Sequence, residues 1–321
     1  MALTESGLIE RYFRAAGAQR PDVRLGIGDD AAVLAPPPGQ ELIATTDTLV
    51  EGVHFPPHIP PAAIGHRALA VNLSDLAAMG ARPAWALLAL TLPQAQEPWL
   101  EEFAAGFATL AREHRVALVG GDTTRGPLCI SVQLLGFVPA GAALRRSGAQ
   151  AGDLLFVSGC PGDAAAGLAL EQRRLSAPEP ARTYLRERFL RPSPRVALGE
   201  ALRGFASACI DVSDGLLGDA GKLAQASGLG VQLEYERLPL SAALQQSLGE
   251  DEARRLALSG GDDYELCFAV PAARLAALRA QLPPERWGYA HIGALAAGGG
   301  ARVLRAGTVM EFSHSGYQHF G

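Results

Sequence analysis

An α/β (α+β) protein of two domains is predicted by three features of the sequence. The chain has 321 residues, more than one ordinary core organises. Short apolar runs of strand length alternate with stretches of helical period along most of it. A connector of small and turn-forming residues, Pro139-Ala140-Gly141 through Arg145-Arg146-Ser147-Gly148, interrupts that alternation. The boundary placed there gives domains 1–140 and 141–321. Hydrophobic residues make up 48% and charged residues 19%, the composition of a globular chain and not a disordered one.

Residues 3–16 read as an amphipathic helix, with Leu8, Ile9, Tyr12 and Phe13 on one side and Glu10, Arg11 and Arg14 on the other. Pro36-Pro37-Pro38-Gly39 is a turn, and Glu41–Thr46 reads as a strand running into Asp47. Over 61–79, Ile64, Ala68, Val71, Asp75 and Ala78 recur at steps of four and three, so Asp75 falls on the apolar stripe of a helix. A carboxylate there needs a partner, a backbone donor or a metal. A strand at 84–92, a helix at 97–114, and strands at 116–119 and 128–138 complete the first half. The second half opens with a strand at 153–157 and a glycine loop, Ser158–Asp163, that leads into a helix at 164–171. That loop is read as structural, although a helix N-terminus there would suit an anion. Helices follow near 179–190 and 194–204, then a strand at 208–210, a helix from Leu216, and strands at 230–235 and 264–270.

Short acidic loops, most of them flanked by glycine, recur along this frame. They are Gly28-Asp29-Asp30, Thr45-Thr46-Asp47, Gly120-Gly121-Asp122, Asp211-Val212-Ser213-Asp214-Gly215 and Gly260-Gly261-Asp262-Asp263. Singly each reads as a turn, because glycine supplies positive φ and aspartate bonds its own backbone. Together, carboxylates at successive strand ends point to metal and phosphate chemistry. His54, in Glu51-Gly52-Val53-His54-Phe55, is either a loop histidine or a donor to an anionic ligand. Arg145 and Arg146 are either solvated or phosphate-facing.

The net charge of −5 gives no footprint for nucleic acid. The N-terminus lacks a basic n-region, and no apolar run reaches membrane-spanning length, so the expected location is cytoplasmic, without membrane partners. Lys222 is the sole lysine, and its surroundings lack P-loop spacing. Cys129, Cys160, Cys209 and Cys267 show no C-x-x-C spacing and read as core thiols.

The ordered set of these segments resembles the thiamine-monophosphate kinase family, in the superfamily of aminoimidazole ribonucleotide synthetase. It rests on Gly28-Asp29-Asp30, Thr46–Phe55, Asn72–Gly80, Gly120–Thr123, Asp211–Leu216 and Ser259–Leu266, and covers nearly the whole chain. The resemblance implies ATP-dependent phosphorylation of thiamine monophosphate to thiamine diphosphate by direct transfer, assisted by several Mg²⁺ ions. It also implies an N-terminal domain whose mixed sheet forms a barrel-like homodimer interface, followed by a C-terminal α/β domain. By motif match, Asp30, Thr45, Thr46, Asp47, Asp75, Asp122, Asp211 and Asp214 would hold magnesium. Gly121, Asp122, Arg146 and Ser213 would contact ATP, while His54, Asp262 and Tyr317 would contact thiamine monophosphate. Asp30 would meet Asp75 and Asp211 around shared ions. The chain departs from the family where it carries Asp262 for a frequent Glu, and Tyr317 for an aromatic residue that is often Trp.

Relatives with other activities are separated by simple features. A selenophosphate synthetase would carry a reactive Cys or selenocysteine near its glycine-rich N-terminus, and no cysteine precedes Cys129. A hydrogenase-maturation relative would end in cysteine, whereas this sequence ends His319-Phe320-Gly321. Aminoimidazole ribonucleotide synthetase is the nearest enzyme rival. A non-catalytic nucleotide-binding protein would bind Mg-ATP without turnover.

Overall fold

The computed structural model describes residues 4–312 together with Gly316 and Tyr317. The chain divides into two compact units, Met1–Leu76 with Ala81–Gly141, and Ala77–Gly80 with Ala142–Gly321.

The first unit carries α1 (Glu5–Leu8), a π-helical turn (Ile9–Phe13), β1 (Val23–Leu25), β2 (Val33–Leu34), β3 (Gln40–Val50), α2 (Pro61–Ala78), β4 (Arg82–Leu92), α3 (Glu97–Glu113), β5 (Ala117–Arg125) and β6 (Cys129–Pro139). The helix expected over 3–16 is thus shorter and changes pitch. Arg14 N–H donates to the Ile9 carbonyl at 3.0 Å, five residues back instead of four. The widened turn carries Phe13 into edge-to-face contact with Phe103, centroids 6.4 Å apart.

Strands β3-β6-β4-β5 form one mixed sheet in that order, with β4 and β5 parallel and the other pairs antiparallel. Period-2 alternation separates its faces. Ile130, Val132 and Leu134 are fully buried, whereas Ser131, Gln133 and Leu135 are not. Among the described residues the strands of this unit make an open sheet, not a closed barrel. Its edges run longer than local sequence suggests. Asp47 pairs with Val132 and Asp122 with Ala89, so both lie inside strands where turns were expected. Ladder hydrogen bonding overrides the local turn preference.

The second unit carries β7 (Leu154–Ser158), α4 (Asp163–Glu171), α5 (Ala181–Leu190), α6 (Val196–Leu202), β8 (Ala208–Val212), α7 (Leu216–Ala226), β9 (Gly230–Glu234), α8 (Ala242–Leu248), α9 (Glu250–Ser259), β10 (Glu265–Val270), α10 (Leu275–Gln281), α11 (Pro284–Trp287), β11 (Tyr289–Ala296), β12 (Ala301–Arg305) and β13 (Thr308–Met310). Its mixed sheet runs β13-β12-β9-β11-β7-β10-β8. β8 and β10 are buried along their whole length, which explains their near-continuous apolar runs. Asp211 and Glu265 interrupt those runs and sit near the ends where the site residues gather. A core of Leu155, Val157, Ile210, Val212, Leu216 and Leu223 holds sheet and helix together. Cys209 and Cys267 are buried; Cys129 and Cys160 are only partly so.

Candidate active site

In the first unit, the register of the sheet sorts the acidic and hydroxyl residues. Thr46 lies in a row with Gln133, Leu87 and Gly120, and Thr48 in the next row with Ser131, Ala89 and Asp122. Residues opposite one another share a face, so Thr46 and Asp122 point to the same side. There they line a cavity of about 960 Å³ whose wall also includes Asp29, Asp30, Gly121 and Gln133. Asp30 is exposed and its N–H donates to Asp29 Oδ1 at 2.8 Å. Gly121 is demanded by this packing: its φ is +150°, and a Cβ would stand 1.9 Å from the Leu88 carbonyl oxygen.

Thr45 and Asp47, one residue out of phase with Thr46, project to the opposite face. Thr45 Oγ1 donates to Asp75 Oδ2 at 2.5 Å, which supplies the partner that a carboxylate on the apolar stripe of α2 requires. His54 is half-buried, and its Nδ1 accepts the Val50 N–H at 2.9 Å. The structure therefore gathers Asp30 with Thr46 and Asp122, and Thr45 with Asp75. The alternation of β3 puts Thr46 on the cavity face and Thr45 on the other, and so divides the two groups.

In the second unit the expected residues form a backbone-locked cluster. Asp262 N–H donates to the Ser213 carbonyl at 2.8 Å, Tyr264 N–H to the Val212 carbonyl at 2.8 Å, and Tyr317 N–H to the Asp214 carbonyl at 3.0 Å. Gly261 permits this closeness, since a Cβ would lie 2.7 Å from the Ser213 carbonyl oxygen. Asp262 and Tyr264 hold φ values of +69° and +51°, unfavourable for residues with side chains and tolerated here because the surrounding bonds fix them. Tyr264 Oη donates to Asp262 Oδ1 at 3.2 Å. Asp211 is buried within β8, opposite Leu266. Arg146 is exposed on the connector, with its carbonyl accepting from Ser227 Oγ at 3.3 Å.

Several supporting residues carried no expected role. Asp219 Oδ2 accepts the N–H groups of Ser213, Asp214 and Gly215 at 3.1, 3.0 and 3.2 Å, and so shapes the Asp211–Gly215 loop from behind. The signal was an aspartate one helical turn after Gly215, able to reach back to the turn. Asp263 Oδ2 and Oδ1 accept from Gly162 and Ala164 N–H at 2.6 and 3.2 Å. The group at the start of α4 is thus the protein's own Asp263 carboxyl, which burial pushes well above the usual range. Glu265, fully buried, accepts from Arg188 Nη2 at 2.7 Å, Arg195 Nε at 2.6 Å and Ser158 Oγ at 2.5 Å. Burial acts to raise the Glu265 carboxyl, but Arg195 and Arg188 outweigh it and hold it below the ordinary value. Burial likewise drives the Cys160 thiol up to about 12, so it stays protonated at neutral pH.

The oxygen donors present suit a hard cation. Magnesium takes one or two carboxylates and completes its shell with water and phosphate oxygens. Asp30, Thr46 and Asp122 around the cavity fit that description, as do Thr45 and Asp75. Among the described residues, no three His, Cys, Asp or Glu side chains form a ready-made metal cage. Such an ion would take its remaining ligands from phosphates. Asp214 is different, because Lys222 Nζ already lies 2.6 Å from its Oδ2.

Comparison with known proteins matches two family models, the AIR synthase related protein N-terminal domain over residues 28–138 and its C-terminal domain over 150–305. The thiamine-monophosphate kinase of Salmonella typhimurium strain LT2 is 49% identical, the alignment covering 100% of this chain and 99% of that protein. The crystal structure of thiamine-monophosphate kinase from Stenotrophomonas maltophilia K279a superposes with a TM-score of 0.86 at 50% identity, covering 97% of this chain and 99% of the other. AaThiL complexed with AMPPCP and TMP superposes with a TM-score of 0.78 at 36% identity, covering 92% of each chain. Kinship that extends over both units, with the expected residues in both, settles the family: this chain belongs to the thiamine-monophosphate kinases among the AIR synthase related proteins.

Proposed function

We propose that the protein phosphorylates thiamine monophosphate to thiamine diphosphate with ATP, the final step in making that cofactor. The observation that carries this reading is the cluster in which main-chain N–H groups of Asp262 and Tyr317 donate to the adjacent carbonyls of Ser213 and Asp214, in a chain related end to end to thiamine-monophosphate kinases. Ser213 and Arg146 are assigned to ATP, with Gly121 and Asp122 from the first unit. His54, Asp262 and Tyr317 are assigned to thiamine monophosphate.

Two phosphorylated substrates bring several negative charges to a carboxylate-rich site, and those charges repel. Bound magnesium would supply the countercharge and polarise the transferred phosphoryl group. Asp30, Thr46 and Asp122, with Thr45, Asp47, Asp75 and Asp211, are the residues assigned to hold it. The acceptor is a phosphate oxygen, largely ionised at neutral pH because a phosphate monoester has a second pKa of about 6. No side chain has to remove a proton. The protein's own work is to align donor and acceptor and exclude water, which fits a site without an evident general base.

The 1–140 domain is assigned the dimer contact and part of the magnesium and ATP sites, the 141–321 domain the remaining contacts. The cavity-side face of the four-stranded sheet supports a homodimer. β3 is an eleven-residue edge strand, and Leu42 on it is 48% exposed. A second copy laid on that face would close the open sheet into a barrel-like interface. No helix among the described residues is long and apolar enough to cross a membrane, which agrees with the proposed cytoplasmic location.

The test incubates the purified protein with ATP and magnesium, offering thiamine monophosphate or formylglycinamidine ribonucleotide as acceptor. Thiamine diphosphate and ADP are expected from the first, with no ATP consumption on the second. ATP consumption with the second acceptor alone would overturn the reading.

A further inference from the structure

Lys222 is the sole lysine in the chain, and the function described above makes no use of it. It lies on α7, where Nζ donates to Asp214 Oδ2 at 2.6 Å and to Asp219 Oδ1 at 2.8 Å. A half-exposed ion pair is ordinarily a weak, mobile contact. This one is not free to drift, because Asp219 is 1% exposed and its second oxygen is taken by three main-chain N–H groups of the Asp211–Gly215 loop. The ammonium is therefore fixed by a carboxylate that is itself fixed. Asp214 thus already has a full positive charge at contact distance. A divalent ion on the same oxygen would have to displace the ammonium or sit against it, and either is opposed by like-charge repulsion.

We infer that Lys222 takes the place of a divalent ion at Asp214: its ammonium supplies the positive charge there, and magnesium is held at the other carboxylates. The inference rests on the magnesium-dependent reading above, but it concerns the number of ions bound and not turnover. Lysine suits such a role as a compact point charge with three donors, of which Asp214 and Asp219 take two.

The test counts Mn²⁺ bound per chain by electron paramagnetic resonance, on the full-length protein saturated with the non-hydrolysable nucleotide AMPPCP. Asp214→Asn should bind as many ions as the unsubstituted protein, with affinities within about twofold. Lys222→Met should gain one ion per chain, and Lys222→Arg, which keeps the charge, should not. Loss of one ion in Asp214→Asn, or an unchanged count in a folded Lys222→Met, overturns the inference. If Lys222→Met does not fold, Asp214→Asn decides alone. Failure of the proposed function is seen separately, as absence of thiamine diphosphate in the kinase assay, and leaves these counts readable.

Discussion

The main-chain N–H of Tyr317 donates to the carbonyl oxygen of Asp214 at 3.0 Å, so the C-terminal segment is bonded directly to the loop that leads into α7. The same loop takes main-chain bonds from Asp262 and Tyr264. Two separated stretches of sequence are thereby fixed to one turn, and that turn is in turn shaped by Asp219. Contacts assigned to ATP and to thiamine monophosphate are positioned by one backbone network, independently of their side chains.

This separation of backbone from side chain gives a clean test at Tyr317. Its ring is 51% exposed while its N–H is bonded, so Tyr317→Ala keeps the docking bond and removes only the ring. The KM for thiamine monophosphate is expected to rise about 2- to 13-fold, matching the roughly 0.5–1.5 kcal/mol an aromatic stacking contact contributes. The KM for ATP and the melting temperature should stay unchanged. Equal rises in both KM values in steady-state assays would remove Tyr317 from the substrate contact.

Asp47 and Asp122 stand on opposite faces of one sheet, yet both are assigned to cations. Asp47→Asn and Asp122→Asn should each lower turnover by orders of magnitude, with circular dichroism and melting temperature retained, because a neutral amide no longer balances an ion or a phosphate charge. Near-normal kcat in both would sink the metal assignment.

Glu265 anchors a buried network that the mechanism does not use directly. Removing it by Glu265→Ala leaves Arg188 and Arg195 without their carboxylate, and the loss of one member of a buried pair costs roughly 3–5 kcal/mol. Urea denaturation should show that loss, with Glu265→Gln milder because it keeps an acceptor for Ser158 and one arginine. A change within about 0.5 kcal/mol for Glu265→Ala would mean that solvent reaches the two arginines and replaces the carboxylate.

Much of the frame was legible before the structure, for particular reasons. Helix α3 carries a sustained 3.6-residue period, and β6 and β10 carry apolar runs flanked by turn residues, so the local pattern and the final packing agree; α2 is instead buried on nearly every side, with Arg67, Asn72 and Ser74 as enclosed as Leu69 and Leu73. Asp75 was legible as an acid needing a partner because the period put it in line with Ile64, Ala68 and Val71; it is only half-buried, on a helix enclosed on almost every side, and its donor, Thr45, lies thirty residues away, so only the fold brings the two together. The aspartates at 47 and 122 misled in the other direction. Their neighbours favour turns, and only pairing with β6 and β4 makes them strand residues. Asp219 and Glu265 were not legible as structural anchors. Glu265's partners are arginines seventy or more residues distant, which no local pattern encodes, whereas Asp219's are main-chain N–H groups only four to six residues back, a local spacing that reads equally well as an ordinary helix-start acid.

The exposed face of the β3-β6-β4-β5 sheet bears on assembly. Leu42→Asp replaces an exposed apolar side chain of β3 by a charge, which the monomer tolerates because the residue is 48% exposed. If a second copy covers that face, light scattering should show the mass fall from two chains to one at micromolar concentration, with the secondary structure retained. An unchanged mass in Leu42→Asp would mean that this face is not the dimer contact.

Asp22 gives the first unit a defined dependence on acid. Its carboxylate accepts from Arg20 Nε at 2.9 Å and Nη2 at 2.5 Å, and from Trp85 Nε1 at 3.1 Å. The Arg20 hydrogen bonds lower its pKa most strongly, against the opposing effect of burial, and Trp85 adds to the shift. A carboxylate whose folded value lies below its unfolded value of about 4 stabilises the fold fully above that unfolded value. The stabilisation then fades as pH falls through it toward the lower folded value. Asp22→Asn keeps an acceptor for Trp85 but cannot ionise, so it should be less stable at pH 7 by about 1–3 kcal/mol, the range for a charge-assisted bond. The gap between the two proteins, read from urea unfolding, should be constant from pH 7 to 5 and narrow below pH 4. A gap that widens on acidification would mean that Asp22 is held protonated in the fold, the opposite of what its Arg20 and Trp85 partners dictate.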